Sequence, residues 1–309
     1  MRIIQSERSH PLDLLTVGSN GLVAAATMAF GVPHDVEVWE ITSSARRFVH
    51  GIPKGMIDRI AFTPDAQFLF IGTQSGITIF ESTNWTRHDG PNGAHSTSEF
   101  ALSADGGRLV IVNQGDGNQL VECLAIDPEL RFPRVWSGAP DWQPLCLPTT
   151  NHDGTRTAVI TDTIFGGPGG SVRVCIQLHN ADGTVVSRIP VDAYDPPVQL
   201  AFTSDSSKLL ALSSGRTVRL YDTGTGNMVG ELIPAEEGHV RSVAVHPSGP
   251  IAGAQANGTV TFWDANTHEP IHTLDWKTGE LVSVAFSPDG ALGAAGTEDG
   301  KVIVWDVDL

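Results

Sequence analysis

The sequence repeats itself. The C-terminal stretch LVSVAFSPDGALGAAGTEDGKVIVWDVD holds three short β-patterned runs, LVSVAF, ALGAAGT and KVIVWDV, separated by the turns SPDG and EDG. The preceding block, HVRSVAVHPSGPIAGAQANGTVTFWDANTHEPIHTLDW, keeps that order and adds a fourth run, PIHTLDW, after its Trp-Asp pair. Short apolar runs bounded by Gly, Pro, Asp and Ser clusters read as strands joined by tight turns. Walking backwards gives seven copies, at about 10–51, 52–93, 94–139, 140–192, 193–236, 237–277 and 278–309 with 1–9 added to the last. The turn anchors are Asn20, Asp65, Asp105, Asp153, Asp205, Ser248 and Asp289. The Trp-like anchors are Trp39, Phe80, Leu124, Cys175, Tyr221, Trp263 and Trp305, spaced by 41, 44, 51, 46, 42 and 42 positions on subtraction.

A period of this size with four short strands per unit predicts an all-β, seven-bladed β-propeller of four-stranded blades, with 1–309 as one domain. The seventh copy stops at WDVDL, before its fourth run, and a spare β-like run, RIIQSE, precedes the first copy. The N-terminal run is therefore expected to supply the outer strand of the last blade, which removes an unpaired edge.

The pairs SVAFSPDG with VIVWD, SVAVHPSG with VTFWD, IAFTPD with ITIFE, and LAFTSD with VRLYD resemble the WD-repeat family, and the resemblance runs over the whole chain. Two blades keep Trp-Asp itself, at Trp263-Asp264 and Trp305-Asp306. The resemblance implies a non-enzymatic protein-interaction platform. The family often joins a His, a Ser or Thr, a turn Asp and the Trp in one hydrogen-bonded set. Here that set is mostly missing; Asp299 with Trp305 is its best remnant, and His239 in GHV reads as a residue at the mouth of the ring.

Composition narrows the alternatives. The formal charge is -16 and the pI about 4.9. So acidic a chain repels phosphate backbones, which argues against a nucleic-acid partner. Cys123, Cys146 and Cys175 form no Cys-x-x-Cys pair and read as small buried hydrophobes in a reducing compartment. MRIIQSERSHPLD lacks a signal-peptide pattern, and no apolar run is long enough to span a bilayer, so a cytoplasmic protein without a membrane partner is expected. His268 and His272 stand close, but in a turn and an outer run rather than on a helix face, so no metal is expected there. No Gly-x-Ser-x-Gly elbow occurs. The glycine-dense TIFGGPGGS has no Lys and runs into the β-patterned VRVCIQ, not a helix; it is no phosphate loop, and no cofactor is expected.

Two rivals stay open. One is an enzyme or small-ligand binder using the channel, where the inner strands begin at Asp13, Asp58, Glu99, Gln143, Gln199, Arg241 and Ser283. The other is a structural subunit that packs by its side wall.

MAFGVPHD and TIFGGPGGS both fall between the second and third strands of a repeat. From turn anchor to Trp-like anchor, blades two, five, six and seven take 15 or 16 positions; blades one, three and four take 19, 19 and 22. Longer loops on one face, with Phe30 and Phe165 near two of the tips, are candidates for an apolar contact on an acidic rim. The family's partner contacts commonly use the start of the inner strand and the position before the tight-turn Asp. Matched here, these are Met56, Asp58, Asp141, Gln143, His239, Arg241 and Glu280, with Gln74 and Glu298. The set is mainly acidic with one basic spot and predicts a partner carrying a basic segment.

Overall fold

Apolar alternation becomes strand pairing throughout the chain. In a computed structural model, the described residues form 28 strands in seven four-stranded antiparallel sheets, and no helix. The structure describes residues 1–7, 9–28, 34–52, 56–91, 99–115, 118–138, 143–165, 171–234 and 238–307, the side chains of 113–115, 118–119, 143–147, 162–165 and 171–173 excepted.

After β1 (Arg2–Gln5), blade one is β2 (Leu14–Val17), β3 (Leu22–Ala26), β4 (His34–Glu40) and β5 (Ala45–Ile52). Blade two is β6 (Ile57–Phe62), β7 (Phe68–Thr73), β8 (Gly76–Glu81) and β9 (Arg87–Asp89). Blade three is β10 (Phe100–Leu102), β11 (Arg108–Gly115), β12 (Asn118–Ala125) and β13 (Arg134–Gly138). Blade four is β14 (Gln143–Thr150), β15 (Thr157–Phe165), β16 (Ser171–His179) and β17 (Val185–Val191). Blade five is β18 (Pro197–Phe202), β19 (Lys208–Ser213), β20 (Val218–Asp222) and β21 (Met228–Leu232). Blade six is β22 (Val240–Val245), β23 (Ile251–Gln255), β24 (Thr259–Trp263) and β25 (Pro270–Asp275). Blade seven is β26 (Leu281–Phe286), β27 (Leu292–Thr297) and β28 (Lys301–Asp306), with β1 as its fourth strand. This is the make-up of a seven-bladed β-propeller, as the repeat predicts. The expected N-terminal strand is in place: Arg2 to Gln5 pair antiparallel with Val304 to Lys301.

The blades fall into two compact units. Residues 1–90 with 233–309 hold blades six, seven, one and two; residues 91–232 hold blades three, four and five. In the first unit, β22 packs on β26, β26 on β2 and β2 on β6. In the second, β10 packs on β14 and β14 on β18.

Both faces of a middle strand are buried, and successive residues serve different neighbours. In β3, Val23 and Ala25 join a core with Ile4, Ala294, Val302 and Val304 of blade seven. Ala24 and Ala26, pointing the other way, pack with Ile57, Ile60, Leu69 and Ile71 of blade two. The same division of labour puts Ala295 and Ile303 of blade seven against Ala252, Ala254 and Phe262 of blade six. Alanine and glycine recur in these strands because close-packed sheets leave little depth for side chains. A Cβ on Gly253 would lie 2.8 Å from the Trp263 ring, so the large anchor requires a small neighbour.

A recurrent side-chain pin shapes the turn between first and second strands. Thr63 donates to Asp65 (2.6 Å), Ser103 to Asp105 (2.6 Å), Thr203 to Asp205 (2.6 Å) and Ser287 to Asp289 (2.5 Å). Each Asp then accepts the backbone N–H two residues on, and each hydroxyl accepts the N–H five residues on. Blade four substitutes Asn151 with Asp153, and blade six His246 with Ser248. These bonds replace strand pairing where the chain reverses. Neighbouring turns are also tied together: Asn20 donates to the Ala66 carbonyl (3.2 Å), Asn151 to Ser206 (3.3 Å) and His246 Nε2 to the Gly290 carbonyl (2.8 Å). A carbonyl only accepts and the Ser248 N–H only donates to Nδ1, so the His246 proton sits on Nε2.

One expected contact takes another form. Asp299 does not pair with Trp305; it binds Thr297 (2.6 Å) and Lys301, which flank it on the same hairpin. Trp305 instead packs on Trp276 and Phe286, at ring distances of 4.8 and 6.5 Å. Cys123 and Cys175 are buried free thiols, and burial pushes both up in pKa.

Candidate protein-binding surface

The first strands of blades two, five, six and seven share a register defect. In blade two, Ile57 pairs with Thr73 and Arg59 with Gly72, leaving Asp58 extra. In blade five the extra residue is Val198, in blade six Arg241 and in blade seven Val282. A bulge re-aims the side chain it carries and bends the strand. Two sequence candidates, Asp58 and Arg241, occupy bulge positions, and both are half-buried.

In the first unit the candidates meet in pairs. The Arg241 guanidinium lies 3.2 Å from the Glu280 carboxylate, bridging blades six and seven. Both side chains are partly exposed, so the pair orients the arginine and contributes at most about 1 kcal/mol. The backbone beneath is fixed: Glu298 N–H donates to the Glu280 carbonyl (3.0 Å) and Ala256 N–H to the His239 carbonyl (3.0 Å). His239, Glu280 and Glu298 are exposed on this stapled edge. In blade two, Met56 is half-buried just before β6, and Gln74 is exposed in the turn from β7 to β8. Asp13, which precedes β2, accepts the Met28 N–H at 2.9 Å.

In the second unit the candidates lie mostly outside what is described. Phe30, in blade one, and Asp141 are not among the described residues; Gln143 and Phe165 are described in backbone only. Gln143 opens β14, opposite Asp162, and Phe165 closes β15, opposite Ser171. The glycine-dense stretch is thus shorter than a free loop: β15 and β16 run to nine residues each, and only 166–170 lie between them.

Sequence reading missed Tyr194. It lies between β17 and β18 and is 97% exposed, whereas the other tyrosine, Tyr221, is buried. Its turn is held on both sides. Tyr194 N–H donates to Asp192 (2.9 Å), and Asp195 accepts Gly215 N–H (2.6 Å) and Ser214 Oγ (3.1 Å). Burial alone would raise the Asp195 pKa; the Gly215 and serine hydrogen bonds and the Arg219 charge hold it below its ordinary value. Only the Asp-x-Tyr-Asp-Pro-Pro spelling hinted at a fixed turn.

Comparison with known proteins identifies the repeat. The WD domain, G-beta repeat family matches residues 230–264 and 268–306, the two blades that keep Trp-Asp. Those two blades are WD repeats. Similar proteins include Pre-mRNA-processing factor 19 homolog 2 of Arabidopsis thaliana, 28% identical over 152 residues, covering 48% of this chain and 26% of that protein. Target of rapamycin complex subunit LST8-1 of the same plant is 29% identical over 107 residues, 34% of this chain and 35% of that protein. Target of rapamycin complex subunit wat1 of Schizosaccharomyces pombe is 30% identical over 103 residues, 32% of either chain. The matched stretches thus span about a third or less of these relatives' lengths. The last two are, by name, subunits of a protein complex. Among the described residues, no helix is long and apolar enough to cross a membrane.

Proposed function

We propose that this WD-repeat chain is a non-enzymatic protein-interaction platform, with residues 1–309 acting as one propeller. Its partners bind where the first strands begin and where the second turns to the third. The observation that carries this reading is the stapled edge of blades six and seven, where a bulge turns out Arg241 beside exposed His239, Glu280 and Glu298. Rigid backbone with exposed polar side chains lowers the ordering cost of binding. Bulge positions differing as much as Asp58, Val198, Arg241 and Val282 suit recognition better than a shared chemical step. The net charge of -16 favours a protein segment carrying Lys or Arg over nucleic acid or an anionic membrane. A cytoplasmic setting is part of the same proposal and rests on the cysteine usage. The hairpin tips near Phe30 and Phe165 add an apolar contact.

Affinity purification of the intact chain beside a Phe30→Ser/Phe165→Ser variant and a rim variant, Asp58→Lys/Glu298→Lys, tests the reading. Both variants should lose the partners that the intact chain retains.

A second reading has its own observation. The fourth strands of blades three, four and five expose Val135, Val186, Met228 and Val229, so partners could pack on that wall. Met228→Ser/Val229→Ser would then abolish capture while the rim variants keep it.

A further inference from the structure

We infer that Tyr194 is an arginine-binding post: its ring takes a guanidinium on its face, with Asp192 beside it as the counter-charge. The inference deepens the protein-binding reading and names a contact in blade five that it does not contain.

Three observations converge. First, a tyrosine at 97% exposure buries almost none of its ring, so folding is not what the ring serves. Second, its backbone is pinned: Asp192 holds Tyr194 N–H, the Pro196 carbonyl accepts Ser214 N–H at 2.9 Å, and Asp195 holds Gly215 and pairs with Arg219 at 3.5 Å. An aromatic side chain with two rotatable bonds on a fixed turn binds at low entropic cost. Third, the surroundings select a cation. Asp192 is exposed two residues before the ring, and Asp195 follows it. Val198, the bulge residue of β18, is 41% exposed four positions along. A guanidinium stacks on an aromatic face, pairs with a carboxylate and lays its methylene stem on aliphatic surface. An acidic or purely apolar partner leaves the carboxylate opposed or desolvated.

The chain has only two tyrosines, which gives a direct probe. Full-length protein labelled with 3-fluorotyrosine should show two fluorine resonances, one for Tyr194 and one for buried Tyr221. It is titrated with the peptide acetyl-Gly-Arg-Ala-Arg-Gly-amide and, separately, with the same peptide carrying Gln for Arg. The Tyr194 line should move with the arginine peptide only, and the Tyr221 line should stay. By fluorescence anisotropy of the labelled arginine peptide, Tyr194→Ala and Asp192→Asn should each bind roughly two- to fivefold more weakly. Asparagine can still accept the Tyr194 N–H, so that variant keeps the turn. An unmoved Tyr194 line, an equal response to the glutamine peptide, or unchanged binding by both variants overturns the inference. Arginine-peptide binding lost with Asp58→Lys/Glu298→Lys while the Tyr194 line never moves would overturn this post and leave the proposed surface standing.

Discussion

Blades six and seven and blades three and four solve the same packing problem differently. In blades six and seven, tryptophan anchors meet small neighbours, and second and third strands of five or six residues turn tightly. In blades three and four the anchors shrink to Leu124 and Cys175, and the corresponding strands grow to eight or nine residues. The anchors stay buried in all four. What varies is how far the second hairpin projects past the repeat core. The fold is held by features common to the blades, whereas the projecting hairpins are where blades three and four differ from the repeat.

That contrast predicts a graded response to damage. The largest loss should follow deletion of residues 1–8. It removes β1, its pairing with β28, the buried Ile4, and the Ser6 hydroxyl bound to buried Glu37 at 2.5 Å. Losing a buried Ile contact alone costs about 2–5 kcal/mol, so thermal unfolding should shift down sharply in one cooperative step. An unchanged melting curve would break the account of blade seven. Next comes Gly253→Ala, whose methyl would press on the Trp263 ring; about 1–3 kcal/mol should be lost in a denaturant titration. The same denaturant titration on a Leu124→Ala variant sharpens the comparison, since it opens a cavity where no tryptophan stands.

A smaller effect should follow from the turn pins. The Thr203 and Ser287 hydroxyls hold Asp205 and Asp289 below the ordinary carboxylate pKa. A carboxylate depressed in the folded state stabilises above its unfolded value, about 3.9, and that stability fades as the pH falls through the folded value. Asp289→Asn should therefore lower the melting temperature slightly at pH 7 and flatten the acid limb of a pH–melting profile. His179 adds a shallower slope at higher pH. Burial lowers its pKa, so stability should be full above about pH 6.5 and decline below it. Its ring stacks on Trp136 at 5.5 Å, and tryptophan fluorescence should follow the change. Smallest of all should be the effect of replacing residues 166–170 with a short Gly-Asn turn, which leaves the β15–β16 pairing intact and should keep the melting temperature within a degree or two.

Much of the fold was legible because each repeat states the same local rules. Alternating apolar residues, turn prolines and glycines, and the spare RIIQSE run all report on strands, and those strands form. The pins were legible too, in TPD, SAD, TSD and SPD, although the reading used only their aspartates as turn markers. The bulges were not. An acid, a base and two valines, Asp58, Arg241, Val198 and Val282, show no common chemistry, because a bulge is set by how neighbouring strands slide into register. Asp58 and Arg241 emerged as inner-strand starts and through family resemblance, not as bulges. Tyr194 was not legible, because its exposure depends on a turn fixed by Ser214 and Gly215, some 20 positions away.

The central claim, that partners bind along the edge marked by the bulges, has a direct test. Amide hydrogen exchange of the intact chain is compared with and without a captured partner. Protection is expected at 56–58, 73–76, 239–241, 280 and 298. Protection confined to the fourth strands, 134–138, 185–191 and 228–232, would contradict it.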